Sequence, residues 1–264
     1  MERRALLSVL GVGVTSIAGC VDGTPGMDGS TTDDRSDLPR EYPEGAGADS
    51  IDFAALDSDD ETVLHAPRDH WDSYAILHSE PPERRRVEGD YYIDATTGEV
   101  ISDLWHGARD YRNGDTYAYV QPADRIPDHQ PRDEWESDPQ FVYDDATDAY
   151  YRYDPHYGRI APTNVGRHTD LLEAYDWEAT GTTTRHGIDV VTYRLSDTEP
   201  NDSRGVPAVE GTLKLGVEDG IVYAFDVTLD AEGEPRYTYT VRPETFPDHD
   251  WVETAREVTG ANGA

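Results

Sequence analysis

The sequence predicts a mainly β fold of the α+β class, an antiparallel sheet or barrel with a few short helices. Three observations predict it. Ile221, Tyr223, Phe225, Val227 and Leu229 alternate with Val222, Ala224, Asp226, Thr228 and Asp230, so one set defines an apolar strand face. Asp219-Gly220 separates that run from Leu213, Leu215 and Val217, and Asp-Gly between alternating runs is a strong hairpin signal because both turn positions favour positive φ. Similar turn signals recur through the body of the chain at regular spacing, as in an antiparallel meander.

The elements follow in chain order. Residues 90–94 and 99–105 flank Thr97-Gly98, and residues 109–112 and 116–120 flank Asn113-Gly114. The acidic, Pro-rich stretch 122–139 reads as a long loop, either functional or a simple acidic insertion. Residues 141–143 and 149–153 flank an Asp/Thr turn. Leu171, Leu172 and Tyr175 share one face of a helix expected over 169–175. Trp177 and the Thr182–Thr184 run suggest a strand before His186-Gly187, and Val191, Tyr193 and Leu195 alternate after it. Tyr237, Tyr239 and Val241 continue the meander beyond a turn at Gly233. A last helix is expected over 250–258, with Asp250 as its cap and Trp251, Val252 and Ala255 packing.

Composition sets the chemical limits. Hydrophobic residues are 36% of the 264, so the core must be economical. The net charge is -33, and Lys214 is the sole lysine. Such charge opposes compaction in dilute buffer. In molar salt the Debye length falls to about 3 Å and the repulsion is screened. This balance resembles the proteins of extremely halophilic archaea. It speaks against a nucleic-acid partner, because little positive charge is present to meet phosphates. Cys20 is the only cysteine, which excludes an internal disulfide and a cysteine-based zinc site.

The amino terminus carries the most specific motif. Arg3 and Arg4 precede an apolar run, residues 5–18, that is shorter than the roughly 20 residues a membrane span needs. It fits the core of a signal peptide spanning residues 1–19. Ile17, Ala18 and Gly19 lead directly into Cys20 and resemble a lipobox, which implies cleavage before Cys20 and lipidation of its thiol. Arg3-Arg4-Ala5-Leu6-Leu7 resembles a twin-arginine export signal, with Glu2 where Ser or Thr is more common. Residues 20–50, rich in Gly, Ser, Thr, Asp and Pro, read as a disordered tether. Residues 51–264 form the expected β-rich extracytoplasmic domain. The expected partner is the cytoplasmic membrane, reached through the lipid anchor at its outer face.

No catalytic signature is present. Nine histidines are scattered, no His-Glu-x-x-His occurs, and the expected reading is solvated or singly hydrogen-bonded rings. There is no Gly-x-Ser-x-Gly elbow and no phosphate loop around Lys214. Acidic groups such as 57–61, and Asp144 with Asp145 and Asp148, read as calcium ligands or, more simply, as a hydrated acidic face. Tyr91-Tyr92 and Tyr150-Tyr151, with Trp105 and Trp135, either line a sugar or lipid groove or simply pack. The sequence therefore predicts no catalytic residue, no metal ligand, no cofactor and no enzyme activity.

The segments HTDLLEAYDW and DHDWVETARE, together with the lipobox and tether, resemble haloarchaeal lipoproteins and, more widely, lipoprotein carriers of the LolA/LppX kind. That resemblance implies a curved antiparallel half-barrel-like sheet with short helices against its concave face. It also implies an amphiphilic ligand such as a lipid. The departure is at residues 51–84, which are short and Pro-interrupted where those carriers begin with a long helix. Only the lipidated cysteine carries over, as Cys20. Two further readings stand beside a carrier: a cell-envelope interaction protein with a filled core, and an extracellular hydrolase whose carboxylates carry no sequence signature.

Overall fold

A computed structural model describes residues 38–39, 41–56, 70–81, 89–104, 106–114, 116–153, 168–201 and 205–260. Arg3, Arg4, Ile17, Ala18, Gly19 and Cys20, Trp105 and the acidic run 57–61 lie outside the described residues. The chain divides into residues 1–34 and a compact unit of residues 35–264, which holds every described residue.

Twelve strands form one open, curved antiparallel sheet, as the mainly β prediction requires. They are β1 (Ser73–Ser79), β2 (Gly89–Asp94), β3 (Glu99–Leu104), β4 (Arg109–Asn113), β5 (Thr116–Pro122), β6 (Val142–Asp144) and β7 (Ala149–Tyr153), then β8 (Trp177–Arg185), β9 (Ile188–Leu195), β10 (Ala208–Gly216), β11 (Val222–Leu229) and β12 (Arg236–Pro243). Their order is β6-β7-β5-β4-β3-β2-β1-β12-β11-β10-β9-β8. Two meanders therefore meet at one seam, where β1 pairs β12. The helices are short: α1 (Phe53–Leu56), α2 (Arg132–Ser137), α3 (Thr169–Leu172) and α4 (Asp250–Thr259). Among the described residues no helix is long and apolar enough to cross a membrane.

Strand alternation sends side chains to two faces, and each face has its own core. One face carries Tyr74, Tyr193, Leu213, Phe225 and Tyr239, packed with Phe53 of α1 and Leu172 of α3. The opposite face, on β3 to β5 and β7, carries Ile101, Tyr111, Val120 and Tyr151 beneath Trp251, Val252 and Ala255 of α4. Arg256 of α4 donates from Nε to Glu99 Oε1 at 2.6 Å and from Nη2 to Oε2 at 2.7 Å, while Tyr111 donates to Oε1 at 2.7 Å. Asp250 does not cap this helix: His249 is the cap residue, without a side-chain cap bond, and Asp250 sits in the first turn, where its charge faces the positive helix end.

The segment 41–50, placed in the tether by its composition, lies against the sheet instead. Tyr42 and Ala46 pack on the first core. The Ala179 N–H donates to Ala48 O at 2.8 Å, and Tyr193 Oη donates to Gly47 O at 3.0 Å. A few main-chain bonds and two apolar side chains order a segment that its overall polarity marks as loose. Within the loop expected over 122–139, residues 132–137 form α2, whose Trp135 ring lies 4.7 Å from that of Phe141.

Candidate functional site

β1 is in phase from Tyr74 through Ile76 to His78, so these three face the first core, and the chain leaves the strand with Glu80 next in that register. His78 is opposite Tyr239 across the seam. His168, immediately before α3, comes down on the same spot from 90 residues away, and its Nε2 lies 3.2 Å from His78 Nδ1. The two rings stack, with centroids 5.3 Å apart and planes 23° apart. On the other side of His168, Nδ1 lies 3.3 Å from Glu80 Oε1, and the two side chains are 2% and 0% exposed.

Aromatic rings enclose the cluster. Tyr239 and Tyr91 stand 5.2 and 6.2 Å from the His78 ring, and Phe225 stands 4.9 Å from the His168 ring. Phe225 and Tyr239 stack on each other with planes only 3° apart. The His78 main-chain N–H donates to Asp90 Oδ1 at 2.7 Å. Burial, helped by the neighbouring His168, pulls His78 down to about 3, so its ring is neutral at neutral pH. Burial also pushes the Asp90 carboxyl up, against the hydrogen bond from His78 and with the charge of Asp103. The Nε2 atom of His78 is buried and has no hydrogen-bond partner.

Two imidazoles and one carboxylate offer donor atoms that all lie within 4.8 Å of one another, the only such group of three among the described residues. Chemically this set can pass a proton along a chain or hold a cation. The expectation of solvated or singly bonded histidines is thus corrected at two positions. His70, His106, His129, His186 and His249 are exposed as expected, but His78 and His168 are buried and joined. The signal that could have found part of it is the His78-x-Glu80 spacing, in phase where the chain leaves β1. The 90-residue separation concealed the rest.

The other candidates resolve into structure. Asp144 accepts from Thr147 Oγ1 at 2.6 Å and from the main-chain N–H groups of Ala146 and Thr147, and Tyr143 donates to Asp148 at 2.6 Å. These acids hold the β6–β7 turn. Hydrogen bonding from Thr147 keeps the Asp144 carboxyl below its ordinary range. Tyr150 and Tyr151 are both buried: Tyr150 packs near Trp135 and Tyr143, while Tyr151 lies under α4. Tyr91 is buried in the first core, and Tyr92 packs against the second. The Tyr pairs split between faces as alternation dictates, and their rings pack on protein.

No family model matches the chain, and no curated protein matches it. Solved structures do. The lipoprotein LppX of Mycobacterium tuberculosis matches with 12% identity and a TM-score of 0.30, over 72% of this chain and 99% of that one. The MucA/MucB complex of Pseudomonas aeruginosa matches with 12% identity and a TM-score of 0.24, over 72% of this chain and 58% of that one. A LolA superfamily protein of Nitrosomonas europaea matches with 8% identity and a TM-score of 0.21, over 72% of this chain and 94% of that one.

Proposed function

We propose that this chain is a lipid-anchored, non-catalytic module on the outer face of a cytoplasmic membrane, exported by the twin-arginine route and tethered through Cys20. The observation that carries the anchor is the run Ile17-Ala18-Gly19-Cys20 at the end of an apolar leader, in a chain with no second cysteine. In this reading the open sheet presents its aromatic-rich face to an amphiphile such as a lipid. Entry requires α1 and α3, four residues each, to lift from that face. The net charge of -33 suits salt-rich surroundings, where hydrated carboxylates keep the surface soluble.

A second reading, an envelope interaction protein with a filled core, draws on a different observation. Val190, Tyr193, Leu213, Leu215 and Val227 are all 0% exposed, so they border no void as large as a water molecule. Two experiments test these readings. Cys20→Ser should move the protein from membranes to the detergent-free supernatant, and unchanged membrane retention rejects the anchor. Native mass spectrometry of the membrane-purified protein should show a copurified amphiphile. A bare polypeptide mass, beyond the lipid on Cys20, favours the interaction protein.

A further inference from the structure

We infer that His78, His168 and Glu80 form a binding site for one divalent transition-metal ion of the zinc type. The site would take one imidazole nitrogen from each histidine and one carboxylate oxygen from Glu80. It lies at the seam of the sheet.

The donor chemistry fits. Imidazole nitrogen and carboxylate oxygen are ordinary ligands for zinc and its first-row neighbours, and two histidines with one acid are a set such ions accept. Calcium and magnesium prefer oxygen donors and larger coordination numbers, which two imidazoles do not supply. The geometry fits as well. An ion about 2.0–2.1 Å from each ligand holds its tetrahedral donors roughly 3.3 Å apart. The three donor atoms already lie within 4.8 Å of one another. Closing the set needs side-chain rotations of about an ångström, well within what the χ angles of His and Glu allow.

A second observation points to a ligand independently of the clustering. His78 Nε2 is a buried ring nitrogen with no hydrogen-bond partner. A buried polar atom left alone is costly, and native proteins seldom keep one without a use. Nδ1 of the His78 ring already faces His168 Nε2 at 3.2 Å, and a half-turn about χ2 would offer Nε2 in its place. The surroundings suit a bound cation. The Tyr239, Phe225 and Tyr91 rings pack around the two histidines, and such an apolar shell strengthens ligand–ion attraction. Asp90, held by the His78 main-chain N–H, places a second carboxyl beside the site. His78 is paired with Tyr239 of β12, and its main-chain N–H is held by Asp90 Oδ1, so its backbone is fixed before any ion arrives. Three protein donors leave one tetrahedral position for a fourth ligand.

The test uses the full-length protein, purified in concentrated salt and stripped with a chelator. Cobalt(II) should give the intense visible absorption of a four-coordinate ion, saturate at one equivalent and be displaced by zinc. Zinc should also raise the melting temperature. Glu80→Gln, which keeps the side chain's size, and His168→Gln should each weaken cobalt binding at least about tenfold and abolish the zinc-dependent rise. If wild type with cobalt shows only the pale spectrum of the hydrated ion and zinc leaves its melt unchanged, the inference is overturned and the triad is a hydrogen-bonded chain. Equal binding by both variants also overturns it, since the ion then sits on surface carboxylates. Neither result touches the anchor, which is read by membrane retention of Cys20→Ser.

Discussion

Arg256 on α4 grips both oxygens of Glu99 on β3, at 2.6 and 2.7 Å, across 157 residues of sequence. Glu99 is the more enclosed partner, with its side chain 7% exposed against 33% for Arg256. Tyr111 shares the same carboxylate. This contact, with Trp251, Val252 and Ala255, holds the last helix on the sheet.

Arg256→Ala should therefore destabilise the protein by roughly 2–4 kcal/mol, because it leaves Glu99 enclosed without its cation. Glu99→Gln in the same background should recover part of that loss. Chemical denaturation at fixed salt measures both, and a loss below about 0.5 kcal/mol would show the pair to act as an ordinary surface ion pair.

The same carboxylate makes stability depend on acid. Burial alone would push Glu99 up, but hydrogen bonds from Arg256 and Tyr111 outweigh it and hold the folded carboxyl below its ordinary 4.5. The unfolded chain then binds the proton more readily than the folded one, so stability is complete above about pH 4.5 and falls as pH drops through the folded value. Melting curves from pH 6 to pH 3 should show the gap between wild type and Glu99→Gln narrowing below that point. A constant gap contradicts the assignment.

Gly89 tests the closeness of β2 to β3. A Cβ there would lie 1.9 Å from the carbonyl oxygen of Asp103, a main-chain atom that cannot step aside. Gly89→Ala should cost about 2–3 kcal/mol or more. Gly98→Ala is the control: its φ is +78° but nothing stands within 4 Å, so only the left-handed backbone is penalised, by roughly 1–2 kcal/mol. Equal losses at the two positions would mean that β2 and β3 part more easily than their register implies.

Salt should act on the whole molecule. With 55 acidic and 22 basic side chains, repulsion reaches about 10 Å in 0.1 M salt and about 3 Å in 1 M. The melting temperature should climb steeply with potassium chloride, and dialysis into dilute buffer should unfold the protein. A melt insensitive to salt removes the case for halophilic adaptation.

Export gives the last prediction. Changing Arg3-Arg4 to Lys-Lys should leave the precursor inside the cell, detected by fractionation, whereas normal export would assign the protein to the general secretion route.

Hairpins were legible in the sequence because turn chemistry is local. His186 and Gly187 both have positive φ, and the loop joins Arg185 directly to its partner Ile188; Gly114 and Gly220 likewise take positive φ at predicted turns. β1 was not legible. As a central strand it buries Tyr74, Ala75 and Ile76 in succession, which erases the alternation that marks a half-exposed strand. α1 and α2 span four and six residues, too few for a helical period to emerge, whereas the helix expected over 169–175 forms as the shorter α3. α4, with ten residues, was long enough. The site followed the same logic. With β1 unread, the shared phase of His78 and Glu80 stayed hidden, and only the tertiary fold could bring His168 to them.

Because twelve strands form no ring, two rims of main chain end the sheet. A bare rim can template a second copy, and many soluble proteins guard it with charge. At molar salt such a guard would be screened within a few ångströms, leaving shape to serve instead. One rim, β6, is only three residues long, and the other, β8, is kinked where its register slips between Ala179 and Gly181. Neither offers the long straight ladder that edge-to-edge stacking needs.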